Sequence, residues 1–586
     1  MLERVEPGRT SGPTKRGSAW GHLTAGGWRA VARRWWLVVA MLAFGGAIAA
    51  LPAVLGGTAS AHRQHPSSPV ALASLGPGPE PPVAPPSNTL PPPLTGAHRH
   101  RPNIVFVLTD DLSMDLLPYM PAVQALEHRG TTLTNYYVSD SLCCPSRASI
   151  FTGNFPHDTG VFTNTGRHGG FNVFHARGEQ DHTFNIALQR AGYRTAMMGK
   201  YLNGYLEGSK STVPDTYVPP GWNEWDVAGW GYPEYNYELN HDGEVRWYGH
   251  RPRDYLTDVL ARMGTRFIDN SAHSRNPFFL ELATFAPHSP YTPAPRYRHA
   301  FPGLTAPEPP NFDAIPTDAP RWLANRPPLR PGQIRYINYV FRRRVQAVQS
   351  VDSMISRIEG ALRAHRMLHD TYIVFSSDNG LHTGEYRLMP GKLTAFNTDI
   401  HVPLVIAGPG VPADTTSDAM AENVDLAKTF AAIAGTRMPS DGHSLMALLR
   451  GEDPPDWRDA ILVEHHGPVT NPDDPDIQNS LSGNPPSYEA MRTPDFLYVE
   501  YRNGGREFYD LRTDPFELHN IVSTLSPEEQ ELLHSELLAL ENCHTGPRCW
   551  AAEHVGPATL AIAHGRGHDR RHALPDDRHR HRHRRD

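Results

Sequence analysis

The chain has 586 residues, enough for a large core and a second, smaller unit. Its 62 acidic residues outnumber its 55 basic ones, for a formal net charge of -7, a balance that gives nucleic acid no electrostatic hold. About five of the basic residues are lysines, so each lysine is worth locating.

The N-terminus carries Arg29, Arg33 and Arg34 ahead of an apolar run from Trp35 to Leu55, followed by Ala59-Ser60-Ala61. That pattern reads as an export signal over residues 1–61. The run is also long enough to span a bilayer. Cleaved signal and retained membrane anchor both stand, and Arg33-Arg34 leaves a twin-arginine route open. In each case the body is exported, either secreted or held on the outer face of the membrane. Residues 62–100, with PGPEPPVAPPSNTLPPPL at their centre, read as a disordered Pro-rich linker.

The body opens with NIVFVLTDD (103–111), a β-branched run of the kind buried on both faces of a sheet, ending in two carboxylates. SLCCPSRASIFTG (141–153) predicts a short helix starting at Pro145 and stopped by Gly153. A helix is expected over Thr183–Arg190 and a strand over YRTAMMGK (193–200). Val348, Val351, Ile355, Ile358 and Leu362 step by three and four along another helix. TYIVFSSDNG (371–380) repeats the design of the first strand and ends in an acid and an amide. Ligands collect beyond the carboxyl ends of strands in open α/β sheets, so the two acidic ends are expected to converge. The fold class is therefore α/β over residues 101–455, a large, mostly parallel mixed sheet sandwiched by helices.

Residues 456–555 change character. LYVEYRNGGREFYDL alternates around Asn503-Gly504 as a hairpin does, and Ser526 with Glu529 makes a capping box. A smaller antiparallel sheet with a helix is expected there, with His465-His466 belonging to it. The His/Arg-rich end, 556–586, reads as a disordered tail.

Four cysteines in an exported chain suggest disulfides. Cys543 and Cys549 close a short loop over Gly and Pro and fit that reading. Cys143 and Cys144 fit poorly, because a bond between neighbours strains the backbone; a buried free pair is the plain alternative. Their place at a helix N-terminus, where negative charge costs less, points elsewhere.

Cys143-Cys144-Pro145-Ser146-Arg147 resembles the signature of type I sulfatases, of the alkaline-phosphatase-like superfamily, in which the first cysteine is oxidised to formylglycine. Its company resembles the family in the same order: RPNIVFVLTDD, GKYLNGY (199–205), TFAPHSPY (284–291), SSDNGLHTGEYRL (376–388), GKLTAFNTDIHVPLVIAGPG (391–410) and FYDLRTDPFELHNI (508–521). The double cysteine, VPPGWNEW (218–225), YNYELN (235–240) and CHTGPRC (543–549) are similar to the N-acetylglucosamine-6-sulfatase and extracellular sulfatase branch.

The resemblance implies Ca²⁺, with Mg²⁺ as an alternative, held by Asp110, Asp111, Asp378, Asn379 and the converted Cys143. An oxygen donor set of this kind suits either hard ion. It implies a formylglycine-generating enzyme as a partner, and a hydrated Cys143 aldehyde as the nucleophile, passing through a sulfated enzyme. Arg147 would stabilise that group, Lys200 and Lys392 would bind the sulfate, and His288 would donate to the bridging oxygen. The substrate class implied is a sulfated glycan bearing N-acetylglucosamine 6-sulfate. Aromatics in WNEWDVAGWGYPEYNY (222–237) could stack on sugar rings or pack a core. Many sulfatases carry a histidine two residues after the Lys200 equivalent as the second-step base. Leu202 stands here, and His382 is the candidate substitute. Competing readings are an arylsulfatase, a phosphate or phosphonate ester hydrolase of the same superfamily, and an inactive binder of sulfated glycans.

Overall fold

The first apolar run forms β1 (Asn103–Thr109), every residue of it buried, in a computed structural model that describes residues 101–565. The strands that follow are β2 (Thr131–Leu133), β3 (Tyr136–Tyr137), β4 (Arg194–Lys200), β5 (Glu224–Ala228), β6 (Tyr237–His241) and β7 (Glu244–Tyr248). Next come β8 (Phe278–Ala283), β9 (Thr371–Ser377), β10 (Leu404–Ala407), β11 (Thr415–Ser417) and β12 (Ala421–Glu422). Ten of them form one sheet in the order β11-β2-β10-β9-β1-β8-β4-β5-β6-β7, while β3 and β12 pair separately. The central strands β9-β1-β8-β4-β5 are parallel, and antiparallel pairing begins outside them, at β10 and β6. This is the mixed, mostly parallel sheet expected.

Successive residues of a strand face opposite sides, and β1 feeds two cores accordingly. Ile104, Phe106 and Leu108 join the core that holds Ala148, Phe184 and Phe430, from helices Cys143–Thr152, Phe184–Arg190 and Asp425–Ile433. Val105 and Val107 join the other, under helices Leu256–Ser271 and Pro331–Ala364. Val348, Val351, Ile355, Ile358 and Leu362 are all buried along the latter, as their spacing required. β1 and β9 run in register up to Thr109 opposite Ser377. Asp110-Asp111 and Asp378-Asn379 therefore leave the sheet side by side.

A second sheet is antiparallel, in the order β13 (Ile461–His465), β14 (Tyr488–Arg492), β15 (Phe496–Tyr501), β16 (Arg506–Asp510). One face contributes Val463, Ala490 and Val499 to the same core as Ile104. The other puts Leu462, Met491 and Tyr498 against Leu533, Leu537 and Leu540 of helix Pro527–Glu541. The Ser526–Glu529 capping box forms on both sides, and His465 ends β13. Cys543 and Cys549 are disulfide-bonded, and both line this smaller core.

The tail expectation is corrected at its start. Residues Pro557–Gly565 are helical, and Ile562 and Ala563 are buried against the small core, because this stretch still offers apolar side chains that the His/Arg-rich remainder lacks. The proposed signal or anchor, the Pro-rich linker and the rest of the tail lie outside the described residues. No helix among the described residues is long and apolar enough to cross a membrane.

Candidate active site

The parallel strands deliver the polar residues to one edge. Asp110-Asp111 follow β1, Asp378-Asn379 follow β9, Lys200 ends β4, and His288 lies just past β8. Asp111 adopts a left-handed φ of 61°, an uncommon conformation for a residue with a side chain. The reversal breaks strand alternation, so consecutive carboxylates enter one site. The Cys143–Thr152 helix begins two residues earlier than Pro145. Pro145 falls in the first turn, where a missing N–H costs nothing. Gly153 stops the helix at φ 73°, and a Cβ there would lie 2.7 Å from Ser440 Cβ.

These groups converge. Ligand atoms of Asp110, Asp111, Cys143 and His288 lie within 4.8 Å of one another. Lys200 Nζ is 2.6 Å from Asp110 Oδ2, and Lys392 Nζ is 2.6 Å from Asp111 Oδ1 and 3.0 Å from Cys143 Sγ. Arg147 Nε donates to Asp378 Oδ2 at 2.7 Å, and its Nη1 to the Lys200 carbonyl at 3.1 Å. Arg147 thus braces Asp378 and the end of β4 rather than touching Cys143 directly. His288 Nδ1–H donates to the Ser289 carbonyl, leaving Nε2 aimed into the cluster. None of these residues is more than 5% exposed.

The electrostatics favour a bound cation. Burial, then the charges of Asp378 and Asp111, raise the Asp110 pKa against the pull of Lys200. Asn379 Oδ1 is buried with no hydrogen-bond partner, while its Nδ2 donates to Asp111 Oδ1 at 2.7 Å. A crowd of buried carboxylates beside an orphaned amide oxygen is a donor set that would suit a hard divalent ion. Burial would discharge both lysines, but Asp110 beside Lys200 and Asp111 beside Lys392 raise their pKa values well above the ordinary lysine value. Burial likewise opposes the His288 charge, yet Asp111, Asp110 and Asp476 raise its pKa to about 9. The Cys143 thiol is pushed well above its ordinary value by burial and then by Asp110 and Asp476. An unmodified Cys143 would be a poor nucleophile, since the thiolate is the reactive form.

His382 is a correction. It is fully buried, with Nδ1 at 3.0 Å from both Asp399 oxygens and Nε2 at 2.8 Å from the Ser482 carbonyl. Both ring nitrogens are committed to holding loops together, so it cannot serve as the second-step base. Two residues were missed. Asp476 reaches Cys143 Sγ at 3.3 Å and His288 Nε2 at 2.7 Å. Asn164 accepts from the Cys144 N–H at 2.8 Å and donates to Asp476 at 2.7 Å. No spacing signal marked either one. Of the aromatic stretch, Trp222 and Trp225 are core, whereas Trp230 is 48% exposed. It packs on Tyr232, whose ring lies 4.5 Å from that of His288.

With this geometry in place, similarity to known proteins becomes informative. Residues 102–436 match the family described as Sulfatase. The chain belongs to the sulfatase family. It is a sulfuric ester hydrolase by that membership, and residues 384–542 match the family described as N-sulphoglucosamine sulphohydrolase, C-terminal. It is 35% identical over 482 residues to N-acetylglucosamine-6-sulfatase of Homo sapiens, covering 77% of this chain and 86% of that one. A protein solved in complex with its substrate D-glucosamine-2-N,6-O-disulfate superposes with a TM-score of 0.62 at 24% identity, over 75% of this sulfatase and 97% of that chain. The phosphonate monoester hydrolase of Agrobacterium radiobacter shares the fold, with a TM-score of 0.56 at 20% identity, over 75% and 95% of the two chains.

Proposed function

We propose that this sulfatase hydrolyses 6-sulfated N-acetylglucosamine units of a sulfated glycan, with formylglycine made from Cys143 as nucleophile. The observation that carries the reading is the meeting of Cys143 with Lys392, with Lys200 on the adjoining Asp110, and with a histidine whose Nε2 faces the same cluster. That set suits a tetrahedral anion whose leaving oxygen needs a proton. The high thiol pKa argues for conversion, because a hydrated aldehyde supplies one hydroxyl to attack sulfur and a second to expel sulfate. A thiol lacks the second. The Cys143–Arg147 segment is entirely buried, so a formylglycine-generating enzyme would read it before folding.

Ca²⁺, or Mg²⁺, held by Asp110, Asp111, Asp378 and Asn379 would neutralise charge on the sulfate oxygens. Lys200 and Lys392 would hold the sulfate, and His288 Nε2 would give its proton to the departing sugar oxygen. Arg147 keeps Asp378 ionised: burial raises the Asp378 pKa, but Arg147 and the two lysines bring it below the ordinary value. The choice of sugar is supported by the names of the relatives and by exposed Trp230, a surface on which a ring could stack. Export to an oxidising compartment is supported by the Arg-flanked apolar run and by the Cys543–Cys549 disulfide.

The test is a panel of esters given to purified protein. Sulfate release from N-acetylglucosamine 6-sulfate should exceed release from an aryl sulfate by ~10-fold or more in kcat/KM, with phosphate and phosphonate esters weaker still. Preferential cleavage of a phosphonate monoester would remove the sulfatase assignment of this site. Preference for the aryl sulfate would remove the glycan.

A further inference from the structure

Asp476 lies in residues 466–487, the connection from β13 to β14, and reaches into the anion site from the smaller sheet. Its Oδ1 accepts from His288 Nε2 at 2.7 Å and pairs with Lys392 Nζ at 3.0 Å. Its Oδ2 is 3.3 Å from Cys143 Sγ and 2.7 Å from Asn164 Nδ2. One carboxylate therefore occupies a cation, a proton donor and the nucleophile position at once, and these are the groups a sulfate ester must use. Two anions cannot share that seat in a buried, low-dielectric site.

Few apolar side chains anchor the connection. Its Val469 packs with Leu142 and Leu393 in a cluster of only three buried apolar residues, while Ile477 and Leu481 face solvent. Polar contacts do most of the holding. Asn164 Nδ2 and Thr165 Oγ1 donate to Asp474, and Asn471 donates to Thr165 Oγ1. Arg326 Nη1 donates to the Ser480 and Leu481 carbonyls at 3.0 and 2.9 Å. Segments with few apolar contacts open at low cost.

We propose that Asp476 is the protein's own occupant of the sulfate seat, displaced with residues 466–487 by an entering sulfate monoester. The displacement makes Asp476 a specificity residue. An ester is bound well only when contacts outside its sulfate offset the cost of moving the loop, so bare sulfate and small sulfates bind weakly. This rests on the reading that Lys392, His288 and Cys143 receive sulfate.

The test uses inorganic sulfate and the full-length exported protein. Asp476→Asn and, independently, Arg326→Ala, which loosens the loop but keeps Asp476, should each bind sulfate about 10-fold more tightly than wild type in calorimetry. Sulfate should also speed hydrogen exchange across residues 466–487 in the wild type. Unchanged or weaker sulfate affinity in both variants, with exchange unaffected, would show Asp476 to be a fixed part of the site and overturn the proposal. Cys143 Sγ is itself a contact of Asp476, so wild type and variants are compared at the same degree of Cys143 conversion. Tighter binding in both variants of a protein whose wild type hydrolyses no sulfate ester would keep the displacement and remove the function. Normal hydrolysis with no gain in either variant would do the reverse.

Discussion

Replacing Cys143 with alanine is expected to lower kcat/KM by ~10⁴-fold or more, since the loss of a nucleophile leaves only binding and electrostatics. The fold should survive. Cys143 is the first residue of its helix, and the neighbours that hold that helix, Arg147 on Asp378 and Ser146 Oγ on the Asp378 carbonyl, remain. Cys143→Ser gives a sharper result. Serine has one hydroxyl, so it should accept a single sulfo group and keep it, which a mass spectrum of peptide 141–153 after incubation with substrate would reveal. Sustained turnover by either variant would mean that the nucleophile lies elsewhere.

Removal of the divalent ion is the second large effect. Chelation should abolish turnover, and Ca²⁺ should restore it. A readout apart from activity is thermal stability. Ca²⁺ at about 100-fold its Kd contributes about 2.7 kcal/mol to the folded state, which raises Tm by a few degrees in a domain of this size. Asn379→Ala removes the orphaned oxygen and one ligand, so its Ca²⁺-dependent Tm shift should shrink sharply, and Asp111→Asn should behave alike. A wild-type Tm unmoved by Ca²⁺ and Mg²⁺ alike would contradict the assignment of these four residues.

The parts of the site legible in the sequence share a physical cause. β1 and β9 are short runs with apolar centres, every residue of them buried, as a sheet covered on both faces requires, and their parallel pairing brings their acidic ends out at one sheet edge. The register of Thr109 against Ser377 puts them together. Lys200 and Lys392 stood out in a chain that uses arginine for nearly every other cation. Asp476 was hidden because NPDDPDIQN looks like an ordinary polar turn, and because it meets Cys143 across 333 residues of chain. His382 misled for the opposite reason. It stands close in sequence to Asp378 and Asn379, but its ring nitrogens are taken up by Asp399 and the Ser482 carbonyl. The start of the C-terminal tail misled because it was read together with the His/Arg-rich remainder, whereas Leu560, Ile562 and Ala563 find a core that includes Leu533, Leu537 and Leu540 of helix Pro527–Glu541.

The central claim is that Cys143 is the precursor of the nucleophile, and the most direct measurement is a peptide mass spectrum across residues 141–153 of the exported protein from its native host. The account predicts an aldehyde or its hydrate at position 143, with Cys144 still a thiol that alkylates after denaturation. An intact, alkylatable thiol at Cys143 in protein that nonetheless hydrolyses sulfate esters would contradict it.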